Sequence, residues 1–353
     1  MFFLGLDLAW VSRNTTGFAV IDAAGVLRDI GAALSDDDIE EKLSPYLAGD
    51  CVVGIDAPLR VANETGSRPA EKALYRDFGA FQAGARPAFR MQALGLFDPP
   101  RGEVLAEKLG LDIDPQSTQP RRAIEVYPHP ATISLFGLTC TLKYKRGLGD
   151  SPRERTSHRK AEMLRLLGLI EGLDEASLPL QVKAHPGWQR VRRDVEHASR
   201  PFQLNLVEDS VDAVLCAYVA MMFAHRRAEI TIYGDYPANG YIATPTLPSQ
   251  LVPVRTTSTQ VPTGPPDPAS FGGISGGASS SGGGPGGHLS DEIDRCRSQL
   301  SACRETWSIM EGVLDAGFSS PRISSDAMSF GCVADRLAEA HLELSNLVAR
   351  LGN

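Results

Sequence analysis

The sequence predicts an α/β domain built on a mixed sheet flanked by helices, followed by a flexible tether and a C-terminal helical hairpin. Three observations carry this expectation. The chain opens with three strand-like segments, then a helix, then a short, wholly apolar strand. Composition changes sharply near Arg255 to Thr, Pro, Ser and Gly. Beyond that stretch, apolar residues recur at alternating spacings of three and four.

Phe2–Ala9 is apolar enough for a central strand, and Gly17–Ile21 reads as its neighbour. Asp22 to Gly25 supply turn residues, and Val26–Leu34 continues as a third strand. Ser35, with Asp38 three residues on, predicts the start of a helix over Asp36–Ala48. Cys51–Ile55 is a fourth strand that Pro58 stops, and a strand reached by one crossover helix is expected to pair in parallel. Further on, helices are expected over Pro69–Phe78 (capped by Ser67), Arg101–Leu109, Arg153–Ile170 and Leu206–His225. Ala123–Tyr127 reads as a fifth strand ended by Pro128-His129-Pro130, and Glu229–Tyr233 and Gly240–Ala243 as late short strands.

The resulting division is a domain over residues 1–254, a Pro/Gly/Ser-rich linker over 255–289 and a helical hairpin over 290–353. In the hairpin Ile293, Cys296, Leu300 and Cys303 begin one seam, and Phe330, Val333 and Leu337 begin the other. Two short helices bury little, so the hairpin is expected to mediate a homo-oligomer or dock a protein partner. The net charge of −8 makes the whole protein no electrostatic magnet for nucleic acid, so any such surface must be a local basic patch. Six cysteines without a CxxC pair suggest neither a disulfide framework nor zinc, and fit reduced thiols in the cytoplasm. No apolar run approaches the roughly 18 residues a membrane span needs.

Carboxylates stand where strands end or helices face inward. Asp7 lies between Leu6 and Leu8, and Asp56 follows the fourth strand. Glu125 is in the fifth strand, and Asp209 and Asp212 share a face of the last long helix. Converging carboxylates repel one another unless a cation lies between them, and Mg²⁺ or Mn²⁺, hard ions that prefer oxygen, would serve. Each also has a plainer reading: Asp56 as a strand-end hydrogen-bond acceptor, Glu125 paired with Arg121 or Arg122, Asp209 as a helix-dipole charge. His129 is either a proton shuttle or a turn residue.

The segments GLDLAW, GIDAPL, IEVYPHPA, LVEDSVDAVLCAYVA and GYIATP resemble those of domain of unknown function 429, a family of predicted RNase H-like nucleases. The resemblance spans roughly Met1 to Pro245. It implies an RNase H-like mixed sheet, with Asp7, Asp56, Asp209 and Asp212 as metal ligands and catalytic residues; Glu125 joins them from the family's own motif, with His129 behind it as the candidate proton shuttle. The expected activity is metal-dependent phosphodiester hydrolysis. Lys143, Lys145, Arg146, Arg86 and Arg90 are the expected substrate contacts, drawn from two basic stretches. Those stretches also hold Arg68, Arg76, Arg153, Arg155, His158, Arg159 and Lys160, and their plainer reading is a solvated face. Two other functions suit the same opening: a non-catalytic nucleotide- or partner-binding domain, and phosphotransfer of the actin-like or sugar-kinase type.

Overall fold

The computed structural model describes residues 1–9, 15–91 and 98–253. The expected linker and hairpin lie outside the described residues, so the account below concerns the N-terminal domain.

Five strands form a mixed sheet in the order β3-β2-β1-β4-β5. They are β1 (Phe2–Asp7), β2 (Thr16–Asp22), β3 (Leu27–Ala33), β4 (Cys51–Ile55) and β5 (Arg121–Glu125). β1 to β3 form an antiparallel meander, and β4 and β5 add in parallel beside β1. Helix α1 (Asp36–Leu47) makes the crossover. Its start follows the expected chemistry: the Ser35 hydroxyl accepts from Asp38 N–H, and the Asp38 carboxylate accepts from Leu34 N–H. The other expected strands and helices also appear, with ends displaced by a few residues.

The structure adds detail to three of the expected elements. β6 (Ile230–Asp235) and β7 (Gly240–Pro245) do not complete the main sheet; they form a separate two-stranded ribbon. A single bridge, Val126 to Ala243, joins the ribbon to the chain just beyond β5. The N-cap of α2 (Pro69–Phe78) is Arg68, not Ser67, and Glu71 caps that end by accepting the Arg68 N–H. Pro128-His129-Pro130 does end the fifth strand, but it also opens α4 (Pro128–Phe136), because proline at the first helical position loses no hydrogen bond. A further helix, α6 (Pro186–His197), buries Trp188, Val191 and Val195.

The sheet has two differently covered faces. Leu4, Leu6, Val53 and Ile55 point to one, where Ile39 and Leu43 of α1 and Leu105 of α3 (Arg101–Lys108) cover them. Phe3, Ala19, Ile21 and Val52 point to the other, covered by α7 (Pro201–His225). α5 (Pro152–Glu171) and α6 pack outside α7. Apolar almost all round over its second half, α7 is a central helix buried continuously from Ser210 to Phe223. Among the described residues no helix is long and apolar enough to cross a membrane.

Glycines set how closely α7 lies on the sheet. A Cβ at Gly5 would stand 1.9 Å from the Ala213 carbonyl oxygen, and one at Gly54 would stand 2.4 Å from that of Cys216. One at Gly17 would stand 2.1 Å from the backbone of Asp209. Gly5 pairs with Gly54 across β1 and β4, so the three sites make a trench across neighbouring strands. The helix backbone lies directly in it.

Candidate active site

Strand parity aims the acidic residues. Side chains alternate along a strand, so Asp7 shares the α7 face with Gly5, and Asp56 continues the parity of Gly54. Both stand at the C-terminal ends of adjacent parallel strands, where ligands gather in open α/β sheets. α7, seated in the glycine trench, brings Glu208, Asp209 and Asp212 against them. Asp212 is fully buried.

A lysine stands at the centre of this group. Lys145 Nζ lies 2.6 Å from Asp212 Oδ2 and 3.4 Å from Asp7 Oδ2. Tyr144 donates its hydroxyl to Asp212 Oδ1 at 2.7 Å. Arg159 fixes the segment carrying both: its Nε donates to the Tyr144 carbonyl at 2.6 Å, its Nη1 to Asn205 Oδ1 at 2.6 Å, and its Nη2 pairs with Glu208.

The electrostatics reflect crowded acids. Burial, and then the neighbouring acids, raise Asp7 to about 6 against the pull of Lys145. Burial raises Glu208 to about 7 and, joined by repulsion from Asp7 and Glu208, raises Asp209 to about 9. Asp56 lies well above the carboxylate range through burial and repulsion from Asp7. The same burial, with the acids in support, opposes ionisation of the Tyr144 hydroxyl, while the Asp212 and Asp7 charges hold Lys145 protonated despite its own burial.

Asp7, Asp56 and Lys145 line a cleft of about 260 Å³ together with Arg86, Tyr127 and His129. Burial, and next the Lys145 charge, lower His129 to about 4, so its ring is neutral near pH 7. Its Nδ1 faces the Thr141 hydroxyl at 3.1 Å, and its ring packs between Tyr127 and Tyr144. Arg86 is exposed at the cleft and has no ion-pair partner among the described residues.

Glu125 lines the same cleft but is engaged by a different partner. It follows Ala123 in parity, toward the face covered by α1 and α3. Its carboxylate receives Arg68 in a bidentate pair, at 2.5 and 3.0 Å, plus the Leu59 N–H at 2.9 Å. Arg121 and Arg122, its expected alternatives, make no contact with it. Arg68 also bonds Glu71, and all three side chains are buried beneath the cleft.

The basic stretches dissolve into separate roles. Arg68 and Arg159 are buried structural cations, and Arg90 pairs with Asp98 at 2.5 Å on the surface. Lys143 reaches Gln82 Oε1 at 2.7 Å, and Arg146 is exposed beside Lys145. Lys145, the expected substrate contact, lines the cleft and pairs with Asp212 and Asp7. Sequence reasoning missed Tyr144, Glu208 and the Arg68–Glu71–Glu125 group. Only the resulting fold brings these partners together, because they lie far apart in the chain.

The acids supply hard oxygen donors only. Among the described residues no three His, Cys, Asp or Glu side chains converge as a ready coordination sphere. Yet Asp212 Oδ2, fully enclosed, has no hydrogen bond besides its ionic contact with Lys145. The set therefore fits a hard cation such as Mg²⁺ or Mn²⁺ by donor chemistry alone, and the lysine ammonium stands between Asp7 and Asp212.

No curated protein and no solved structure matches the chain significantly. The model of the family described as Protein of unknown function (DUF429) matches residues 5–236, the stretch that carries the whole acidic cluster and its lysine, and the chain belongs to that family.

Proposed function

We propose that this domain is an RNase H-like, divalent-metal-dependent phosphodiester hydrolase. The observation that carries the reading is that Asp7 and Asp56 stand at adjacent parallel strand ends lining an open cleft, with Asp7 linked through Lys145 to the buried Asp212 of α7. The strand order, with an antiparallel meander before two parallel additions, supports the RNase H-like assignment. Asp7, Asp56, Asp209 and Asp212 would hold Mg²⁺ or Mn²⁺; when bound, the ion would activate water and neutralise charge on the phosphoryl group. Arg86 is placed to meet a phosphate, and Tyr127 offers a ring on which a base can stack. His129, neutral near pH 7, can accept or donate a hydrogen bond at the cleft wall without adding charge. Glu125 is left out of the ligand set because Arg68 occupies both its oxygens.

Mg²⁺ and Mn²⁺ should stabilise the wild-type protein by mass action, by about 2.7 kcal/mol at a hundredfold excess over Kd, and so raise its unfolding temperature. In Asp7→Asn that response should disappear, along with cleavage of labelled DNA and RNA oligonucleotides. A wild-type midpoint that ignores both ions overturns the reading. Metal-dependent stabilisation without cleavage of any phosphodiester would leave a binding domain.

The metal-free protein should also become less stable as pH rises. Asp7 and Asp209, raised from 3.8 to about 6 and about 9, bind protons in the folded state that the unfolded chain has released. Unfolding therefore releases protons between about pH 4 and 9, and stability falls across that window. Saturating Mg²⁺ competes with those protons and should flatten the decline. Unfolding temperatures at pH 5, 7 and 9, with and without Mg²⁺, check this; a metal-free midpoint that climbs over the range refutes it.

A further inference from the structure

We propose that Lys145 is a resident cation that yields its place to the divalent ion, so that the acidic site is closed by an ammonium until metal exchanges with it. The inference rests on the metal-dependent reading above and adds how that site is kept before metal arrives.

The geometry sets Lys145 apart from the buried cations Arg68 and Arg159. Its Nζ lies between Asp212 Oδ2 and Asp7 Oδ2, at 2.6 and 3.4 Å, where one charge bridges two carboxylates from different elements. A divalent ion held by Asp7 and Asp212 would compete with the ammonium for the same carboxylate oxygens. Asp212 Oδ2 is fully enclosed and has no hydrogen bond of its own to replace the ionic contact. Two carboxylates thus face a single ammonium, and Arg159 is already engaged by Glu208, so one unit charge leaves a surplus of negative charge between Asp7 and Asp212 unbalanced. A divalent cation satisfies more of it, which gives the exchange its driving force.

The lysine also has a way out. Its side chain is 32% exposed and lines the cleft, whereas Arg68 is 2% exposed and locked by bidentate bonds to a buried acid. The backbone beneath it is pinned, since Arg159 holds the Tyr144 carbonyl at 2.6 Å and Tyr144 holds Asp212. Exchange therefore asks only for rotation of the lysine stem, leaving the carboxylates in place. The displaced ammonium enters the cleft beside Arg86, where a phosphate carried by the substrate would meet both.

The test is equilibrium Mn²⁺ binding, by calorimetry and by loss of the free-ion paramagnetic resonance signal, to the full-length wild type, Lys145→Met and Lys145→Arg. Methionine keeps the stem and removes the charge; arginine keeps the charge. Lys145→Met should bind Mn²⁺ about tenfold or more tightly than wild type, the loss of one competing charge-assisted pair, while Lys145→Arg should bind no tighter. If Lys145→Met is unfolded without metal but folds on adding Mn²⁺, exchange is likewise supported. If it binds no tighter than a wild type that does bind, or stays unfolded at every Mn²⁺ concentration, Lys145 is a permanent structural partner and the exchange is wrong. If no form binds Mn²⁺, the metal-dependent reading falls with it.

Discussion

Gly5→Ala is expected to destabilise the domain by about 3 kcal/mol or more, the upper end for overpacking, and at moderate temperature to leave it largely unfolded. The added carbon would stand 1.9 Å from the carbonyl oxygen of Ala213 and 2.4 Å from the amide nitrogen of Ala217. Both are backbone atoms of the central helix, so no side-chain rotation relieves the clash. The helix would have to rise off β1, and it also rests on Gly17 and Gly54 of the flanking strands. Lifting it separates Asp212 from Asp7, so any Gly5→Ala protein that does fold should lose its response to Mg²⁺. Gly168→Ala is the control. That glycine is exposed in α5 with nothing within 4 Å of the new carbon, and alanine should stabilise the helix by about 1 kcal/mol. Chemical denaturation of the two variants should therefore move in opposite directions. A Gly5→Ala midpoint within error of wild type would show that the trench does not set the position of the helix.

How far the sequence could foresee this arrangement follows from which interactions are local. Strand and helix segments along β1 to β4 and α1 are written in short-range patterns: alternation, a Ser35 cap, turn residues at Asp22 to Gly25. These survive in the structure almost residue for residue. The acids were legible for a related reason, since Asp7 and Asp212 stand among apolar neighbours where an unpartnered charge is costly. What was not legible depends on register and on distant contacts. Glu125 looks as buried as Asp7 in sequence, but it falls on the opposite parity and meets Arg68, 57 residues away. Lys145 and Arg159 look alike in a run of basic residues. One bridges the acids and the other braces the segment beneath them, and only the packing of α5 against α7 distinguishes them. α6 escaped notice because its buried positions, Trp188, Val191 and Val195, are outnumbered by charged residues on the same helix.

Arg68→Met should be the most damaging substitution outside the trench, at about 3–5 kcal/mol, because it leaves buried acids without their cation. Arg68 donates to both oxygens of Glu125, to Glu71 Oε1 at 2.8 Å and to the Arg60 carbonyl at 2.8 Å, tying the segment after β4 to the end of β5. Methionine can fill much of the volume, so the loss is chiefly electrostatic and should carry an electrostatic signature. Burial already raises Glu71 and Glu125 above the usual carboxylate range even with the arginine present. Without it both rise further, so the folded variant takes up protons that the unfolded chain lacks, and its stability must fall as pH climbs above the unfolded value of 4.5. The deficit relative to wild type should thus be larger at pH 8 than at pH 5. Adding Glu125→Gln removes one orphaned charge and should recover part of the loss, whereas Glu125→Gln alone, which strips the arginine of its bidentate partner, should destabilise. Denaturation of the two single variants and the double variant at both pH values closes the cycle. Strict additivity, with a deficit independent of pH, would mean that Arg68 acts through packing alone and that the buried ion pair does not hold the floor of the cleft.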